Sequence, residues 1–185
     1  PTADNPADES WKGGQSYDDS DWNDYTFVAG KAGGVGYELS TGFENYISYN
    51  ITNANGNETR YIRIHFPVEA EELPWFSKMT LRMRYDDAFV AYLNGVEIMR
   101  SDFVPTTLAW NSGATNYHDD ALAVQFEDFD VSSYVSALKG GDNVLALHAL
   151  NYLTSSSDFL MSIELVGGNE NSVAADVDGD GAVNL

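Results

Sequence analysis

Two adjacent aspartates stand at the start of a strand-like segment, RYDDAFVAYLNGVEIMR, which spans residues 84–100. Like charges repel, so Asp86 and Asp87 either lie in a turn, where their side chains cap backbone N–H groups, or share a positive ion. Calcium would suit them, because it takes roughly six to eight oxygen ligands from carboxylates, amides and carbonyls. Residue type alone leaves both interpretations open.

A long loop should reach the same place as the two aspartates. The runs AFVAYL and VEIMRS flank Asn94-Gly95, a dipeptide that strongly favours a β-hairpin, so the return strand ends beside Asp86. The loop of residues 101–120 therefore rises from the same edge. It offers the aromatic faces and polar groups that bind sugars, at Trp110, Asn111, Tyr117 and His118. Trp110 is either a platform for a sugar or a cover over the end of the core.

A second candidate calcium site lies in the last residues, DVDGDGAVNL. Asp176, Asp178 and Asp180 occupy the first, third and fifth positions of an EF-hand-like loop, and a glycine supplies the turn at the sixth. The run resembles the start of a dockerin repeat, and a complete dockerin would imply a cohesin partner. The acidic ligand expected after Leu185 is missing, so the alternatives are a thrombospondin-like calcium spacer and an acidic tail.

The composition argues against several classes of partner. Lys and Arg number 9 against 29 Asp and Glu, and the formal net charge of −20 disfavours nucleic acid and anionic membranes. The absence of cysteine excludes disulfides and thiolate metal sites. No apolar run approaches the roughly 20 residues that span a bilayer, so we expect no membrane insertion. The charge is compatible with calcium, with uncharged glycans or with solubility in salt.

The sequence gives no sign of a catalytic centre. None of the three histidines falls in a G-x-S-x-G, H-E-x-x-H or zinc-binding pattern. Paired carboxylates are so abundant that a glycosidase pair would carry no information. We therefore expect a protein that is not an enzyme. The sequence begins PTADNPADES without methionine, which we interpret as a piece of a longer, processed protein that is secreted or displayed on the cell surface.

Short strands separated by turn residues fill most of the chain. KMTLRMRY alternates apolar and polar residues, NVLALHALN and DFLMSIELV are nearly continuous apolar runs, and only VSSYVSALKGG has helical spacing. This pattern predicts an all-β antiparallel sandwich or barrel. The composition changes after Gly168, so we expect one domain at residues 1–168, followed by a linker and calcium loop at residues 169–185.

Three stretches in series carry a family resemblance: SYDDSDW, LRMRYDDAFVAYLNGVEI and FEDFDVSSYVSALKGGDNVLALHALN. They resemble galactose-binding-like β-sandwiches, including the sugar-binding domains of family 2 glycosidases. With SSSDFLMSIELV, the set looks like a module of large exported bacterial proteins. The resemblance implies a jelly roll with a non-catalytic role, either carbohydrate binding or structural spacing. It also implies that NVLALHAL pairs with the hairpin, which would bring Asn151 close to Asp86.

A second likeness concerns the aspartates themselves. DDAFVAYLNG is similar to the DDGxxLYIDG motif of the protective-antigen-type lectin domain of yeast flocculins, although Ala88 replaces the glycine. In that family the two aspartates, joined by a cis peptide, hold calcium, and calcium holds sugar hydroxyls. The resemblances imply a calcium-assisted carbohydrate-binding module that targets a larger exported protein to polysaccharide. The alternative is a structural or adhesive spacer that uses calcium for rigidity.

Overall fold

Two β-sheets pack face to face in the computed structural model, which describes residues 8–23, 33–51 and 57–169. The strands in this part of the chain are β1 Gly34–Glu38, β2 Ile47–Asn50, β3 Thr59–Val68, β4 Lys78–Asp86, β5 Ala88–Leu93, β6 Val96–Arg100, β7 Glu127–Asp130, β8 Gly141–Leu150 and β9 Asp158–Gly168. The helices are α1 Asp120–Ala123 and the 3₁₀-helices Ser10–Lys12, Leu73–Trp75 and Ser132–Ala137. Of the predicted tail, Asp176, Asp178 and Asp180 lie outside the described residues.

The strand order is β2-β1-β9-β4-β7 in the first sheet and β3-β8-β5-β6 in the second. Hydrogen-bonded neighbours run antiparallel, except that β1 and β2 are parallel. The prediction of an all-β sandwich is confirmed. The segment with helical spacing, VSSYVSALKGG, contains only the 3₁₀-helix Ser132–Ala137. Within the described residues, no helix has the length and apolar character needed to cross a membrane.

Alternation along β4 decides which face of the first sheet is buried. Met79, Leu81 and Met83 are fully buried inside the sandwich, whereas Thr80 and Arg82 lie on the other face. The second sheet contributes the facing side chains of Phe89, Ala91, Leu93, Leu145 and Leu147. Burial of one large apolar side chain stabilises the fold by roughly 1.5–3 kcal/mol relative to exposure. This shared core therefore holds the two sheets together.

Strand β8 is buried on both faces, because a second cluster covers the outer face of the second sheet. Trp11, in the helix Ser10–Lys12, packs edge-on against three rings. Their centroids lie 4.7 Å (Tyr61), 5.6 Å (Tyr92) and 6.2 Å (His148) from that of the indole. The cover over the outer face explains why NVLALHAL is a continuous apolar run and not an alternating one.

The chain crosses from one sheet to the other at the two aspartates. β4 ends at Asp86, which pairs with Leu160 in the first sheet, and β5 begins at Ala88, which pairs with Leu150 in the second. Between them, the N–H of Asp87 donates to the carbonyl of Leu150 at 3.1 Å, and the Asp86-Asp87 peptide bond is cis. We call Asp86, Asp87 and the ends of β8 and β9 beside them the aspartate corner.

The predicted hairpin is formed by β5 and β6, with Asn94 and Gly95 at its turn. Their φ angles are 49° and 89°, which a type I′ turn requires and which asparagine and glycine tolerate best. The side chain of Asn94 donates to the carbonyl of Ala137 at 2.8 Å and accepts from the N–H of Val144 at 3.0 Å. A Cβ atom at Gly95 would lie 2.6 Å from the Cα of Gly14. The turn is therefore closed against neighbouring backbone.

Replacing Gly95 by alanine should combine backbone strain with a clash. Gly141 is a matched control, because its φ is +91° but nothing lies within 4 Å of a Cβ built there. We expect Gly141→Ala to cost roughly 1–2 kcal/mol from strain alone. Gly95→Ala should cost at least about 1 kcal/mol more from overpacking. Urea unfolding measures both costs, and equal values would contradict the close approach to Gly14.

His148 should make the fold sensitive to acid. Burial, followed by the charges of Lys12 and Arg100, lowers the pKa of His148 from 6.5 to about 3. Between these two pH values the unfolded chain binds a proton that the folded chain does not, so stability falls as the pH drops through this window. The variant His148→Gln should lose about 3 kcal/mol less than the wild type between pH 7 and pH 4 in urea unfolding.

His65 supplies a control of the opposite sign. Hydrogen bonds with Asp19 and then with Asp142 raise the pKa of His65. Its stabilising contribution is therefore present at low pH and is lost as the pH rises through the folded-state value. His65→Gln should leave the acid-induced loss of the wild type in place. Equal acid losses for His148→Gln and the wild type would contradict a buried neutral imidazole at His148.

Candidate functional site

Both carboxylates of the aspartate corner are buried, with 2 % and 3 % of Asp86 and Asp87 exposed. One oxygen of Asp87 accepts from the backbone N–H of His118 at 2.8 Å, and the other accepts from that of Tyr152 at 2.7 Å. Asp87 therefore fixes the long loop and the segment after β8 to the point where the chain changes sheets. It caps backbone N–H groups, as the turn interpretation supposes, but those groups belong to distant segments.

Asp86 is held differently, because its Oδ2 atom has no hydrogen-bond partner in the described part of the chain. Burial, more than any other cause, raises the pKa of Asp86 to about 10. The charge of the Asp87 carboxylate and a hydrogen bond with it raise the pKa further, followed by the charges of Asp158 and Asp120. Negative charge at Asp86 is therefore unfavourable here unless a cation compensates for it.

Asn151 supplies the second buried oxygen without a partner. Only 4 % of the residue is exposed, and its Oδ1 accepts no hydrogen bond from any described residue. Its Nδ2 donates to the hydroxyl of Tyr37 at 2.9 Å and to the carbonyl of Asp158 at 3.0 Å. Its backbone carbonyl accepts from the N–H of Ala114 at 2.9 Å. The asparagine is therefore fixed between both sheets and the long loop.

Two further carboxylates act on this corner and were not singled out from the sequence. Asp158 opens β9, is almost fully buried, and accepts from the hydroxyls of Ser156 and Ser157 at 3.0 and 3.1 Å. Asp120 begins α1; burial, followed by the charge of Asp158, raises its pKa. The signal for Asp158 was its place directly before a strong strand, but 29 acidic residues obscured it.

His118 reaches the corner with its backbone rather than its ring. The ring stacks on Tyr85, with centroids 4.4 Å apart and planes at 8°. Its Nδ1 lies 2.8 Å from the carbonyl of Tyr85, which can only accept, so Nδ1 is the donor. Its Nε2 lies 3.1 Å from a carboxylate oxygen of Glu127. The imidazole therefore packs the loop onto β4 and β7, and its N–H group serves Asp87.

Two tyrosines flank the corner and are open to solvent. Tyr117 precedes the residue whose N–H bonds Asp87, and Tyr152 bonds Asp87 directly through its own N–H. Their exposed fractions are 61 % and 37 %. The same end of the sandwich exposes further apolar side chains at Leu39, Leu122 and Leu153. Tyr152 was not singled out from the sequence, although it directly follows Asn151.

Trp110 and Asn111, which were predicted to share this rim, lie beside a different feature. Trp110 is half-buried, and its carbonyl accepts a hydrogen bond from the hydroxyl of Tyr61 on the outer face of the second sheet. It lines a groove there together with Trp11 and His148. Asn111 is exposed. The described structure therefore gathers Asp86, Asp87, the backbone of His118 and Asn151, and places Trp110 against another surface.

The corner fits a hard cation in its chemistry. The two partnerless oxygens, Asp86 Oδ2 and Asn151 Oδ1, are a carboxylate and an amide oxygen, the ligand types that calcium takes. However, no three Asp, Glu or His side chains converge into a metal site within residues 8–23, 33–51 and 57–169. A cation here would therefore complete its coordination with backbone carbonyls, water or hydroxyl groups of a ligand.

Comparisons with known proteins reach only distant structures. No protein-family model and no curated protein matches the chain. A β-D-mannosidase from Dictyoglomus thermophilum is 23% identical with a TM-score of 0.32, and the match covers 51% of this chain and 9% of that one. A glycosyl hydrolase family 2 member from Bacteroides cellulosilyticus is 12% identical with a TM-score of 0.39, with 81% and 18% covered. A β-glycosidase from Bacteroides vulgatus is 14% identical with a TM-score of 0.36, with 85% and 18% covered. The chain thus spans less than a fifth of each enzyme, and likeness at this level says nothing about function.

Proposed function

We propose that this chain is a non-catalytic, calcium-assisted carbohydrate-binding module of the galactose-binding-like type, which targets a larger exported protein to polysaccharide. The observation that carries the proposal is the pair of buried oxygens without hydrogen-bond partners, Asp86 Oδ2 and Asn151 Oδ1. Buried polar atoms normally have a partner, because leaving one unpaired costs roughly 1–3 kcal/mol. Two of them at one acidic corner favour a cation.

Asp86 and Asn151 would hold the calcium ion, and Asp158 and Asp120 would add favourable charge. Bound calcium would supply positive charge and open coordination positions for sugar hydroxyls. The chain contributes the rest by geometry: Asp87 keeps the two loops in place through its bonds to the N–H groups of His118 and Tyr152. Loops fixed in this way lose little conformational entropy on binding a ligand.

The exposed rings of Tyr117 and Tyr152 are suited to the apolar faces of a sugar. An aromatic ring offers a flat surface to C–H groups, and its hydroxyl can still make hydrogen bonds. Both tyrosines follow from the same anchoring, since Asp87 bonds the N–H groups at or next to them. The net charge of −20 disfavours acidic polysaccharides, so the proposed ligand is uncharged.

One observation favours the alternative of a structural or adhesive spacer. Both oxygens of Asp87 are engaged by backbone N–H groups, so this aspartate already has a structural task. In that case calcium at the corner would only rigidify the sandwich, and the tyrosines would contact protein instead of sugar. The two candidates differ in glycan binding and agree on calcium.

Calcium should stabilise the fold through Asp86. Because the tail has its own candidate ligands, the test uses the background variant Asp178→Asn, and unfolding is followed with calcium and with EDTA. Calcium at 100 times its dissociation constant should add about 2.7 kcal/mol of stability. Asp86→Asn should abolish this gain. Without calcium it should be at least as stable as its parent, because it removes a buried charge next to Asp87.

The matched control is Glu71→Gln, which removes the same charge from an exposed position between β3 and β4. It should keep the full response to calcium. An undiminished response in Asp86→Asn would place the ion elsewhere and refute the calcium part of the proposal. No response in any of the three proteins would do the same.

Glycan binding should depend on the two tyrosines. We expect an array of uncharged polysaccharides to reveal binding that EDTA removes. Tyr117→Ala and Tyr152→Ala should each weaken it about tenfold, the size expected for the loss of an aromatic anchor. Trp75→Ala is the control, since Trp75 is 68 % exposed on another helix. Calcium-dependent stability without any glycan binding would support the spacer and contradict the module.

A further inference from the structure

A groove on the outer face of the second sheet is separate from the aspartate corner. Its volume is about 390 Å³, and its walls include Trp11, Tyr61, Trp110, Leu108 and Ala109. Pockets for small molecules span roughly 300–1,000 Å³, so this one suffices for a small ligand. Neither aspartate of the corner lines it, and neither do Asn151, Tyr117 and Tyr152.

The groove is built from fixed parts. The loop that carries Trp110 is tied to β3 at two places: Tyr61 bonds the carbonyl of Trp110, and the hydroxyl of Thr59 bonds that of Ser112 at 2.7 Å. Trp11 is held from the other side by Arg63, which bonds its carbonyl. The aromatic walls therefore keep their positions without a ligand, which lowers the entropic cost of binding.

One polar group in the wall has no partner. The indole N–H of Trp11 is buried and finds no acceptor among the described residues. A buried tryptophan N–H usually does find one. His148, which also lines the groove, is kept neutral by its low pKa and so adds no charge.

The charges at the rim are paired with each other. Arg100 donates from Nε and Nη2 to both oxygens of Glu97, at 2.9 and 3.0 Å. The ammonium of Lys12 pairs with Glu9 and lies 4.4 Å from the ring centroid of Tyr92. Each pair is neutral, and each still presents donors and acceptors to solvent. The rim therefore suits a ligand with hydroxyl groups and no net charge.

We infer that this groove is a second, calcium-independent site for an uncharged pyranose unit, which stacks on Trp110 and Tyr61 and bonds the Arg100–Glu97 pair through its hydroxyls. The inference rests on the proposed function for the class of ligand, but it uses none of the residues of the corner. Two sites on one module would let it hold two points of a polysaccharide, which raises the apparent affinity beyond that of either site.

Titration in excess EDTA isolates the groove from the corner. Cellohexaose, xylohexaose and mannohexaose are the probes, and two-dimensional ¹H–¹⁵N NMR follows the indole signals of the full chain. At least one sugar should shift the signals of Trp11 and Trp110 while that of Trp75 stays in place. Trp110→Ala should weaken this binding at least tenfold, and Trp75→Ala should not change it.

A second variant guards against misfolding of the loop. Ala109 is exposed and lines the groove, so Ala109→Trp should fill the groove from its edge and abolish the shifts while the fold persists. Absence of shifts in EDTA with all three sugars would overturn the inference. Shifts that depend on protein concentration without sugar would do so too, because they would assign the groove to a second copy of the chain.

The two proposals can fail separately. Binding that needs calcium and is lost in Tyr152→Ala, with no response at Trp110, would leave the corner as the site and refute the groove. Binding that persists in EDTA and is lost in Ala109→Trp would support the groove, whatever happens at the corner.

Discussion

Burying a carboxylate away from water costs several kcal/mol unless something compensates for its charge, and this fold buries two of them where the chain passes between its sheets. Asp87 is compensated by two backbone N–H groups, and through them it sets the paths of the long loop and the segment after β8. Asp86 has no such compensation at Oδ2, and the neighbouring carboxylates make its charge less favourable still. The rest of the corner is arranged around this asymmetry.

The corner has this composition because four strand ends meet there. β4 and β5 contribute the aspartates, β8 ends just before Asn151, and β9 begins at Asp158. Antiparallel pairing fixes their registers, so a polar residue at each strand end is carried to the same place. The hydrophobic core between the sheets then holds the oxygens in a fixed position. Calcium, if bound, would join elements that the core already aligns, and a sugar would meet preformed loops.

Much of the fold could be predicted from short-range patterns, and the site only in part. The alternation of Met79, Leu81 and Met83 gave the inner face of β4, and Asn94-Gly95 gave the hairpin, since both depend on near neighbours. The hairpin also led to the long loop, and the family resemblance to Asn151. The covering of β8 by Trp11 could not be read, because it depends on a contact across more than a hundred residues.

Within the site, the donors to Asp87 are backbone N–H groups, which any sequence would offer, and Asp158 and Asp120 are lost among 29 acidic residues. The most direct test of the central idea is a crystal structure grown with calcium, with anomalous diffraction used to locate the ion. The account predicts a calcium peak bonded to Asp86 Oδ2 and Asn151 Oδ1 at about 2.3–2.6 Å. A corner without any such peak, with a protonated Asp86 bonded to Asp87 alone, would contradict it.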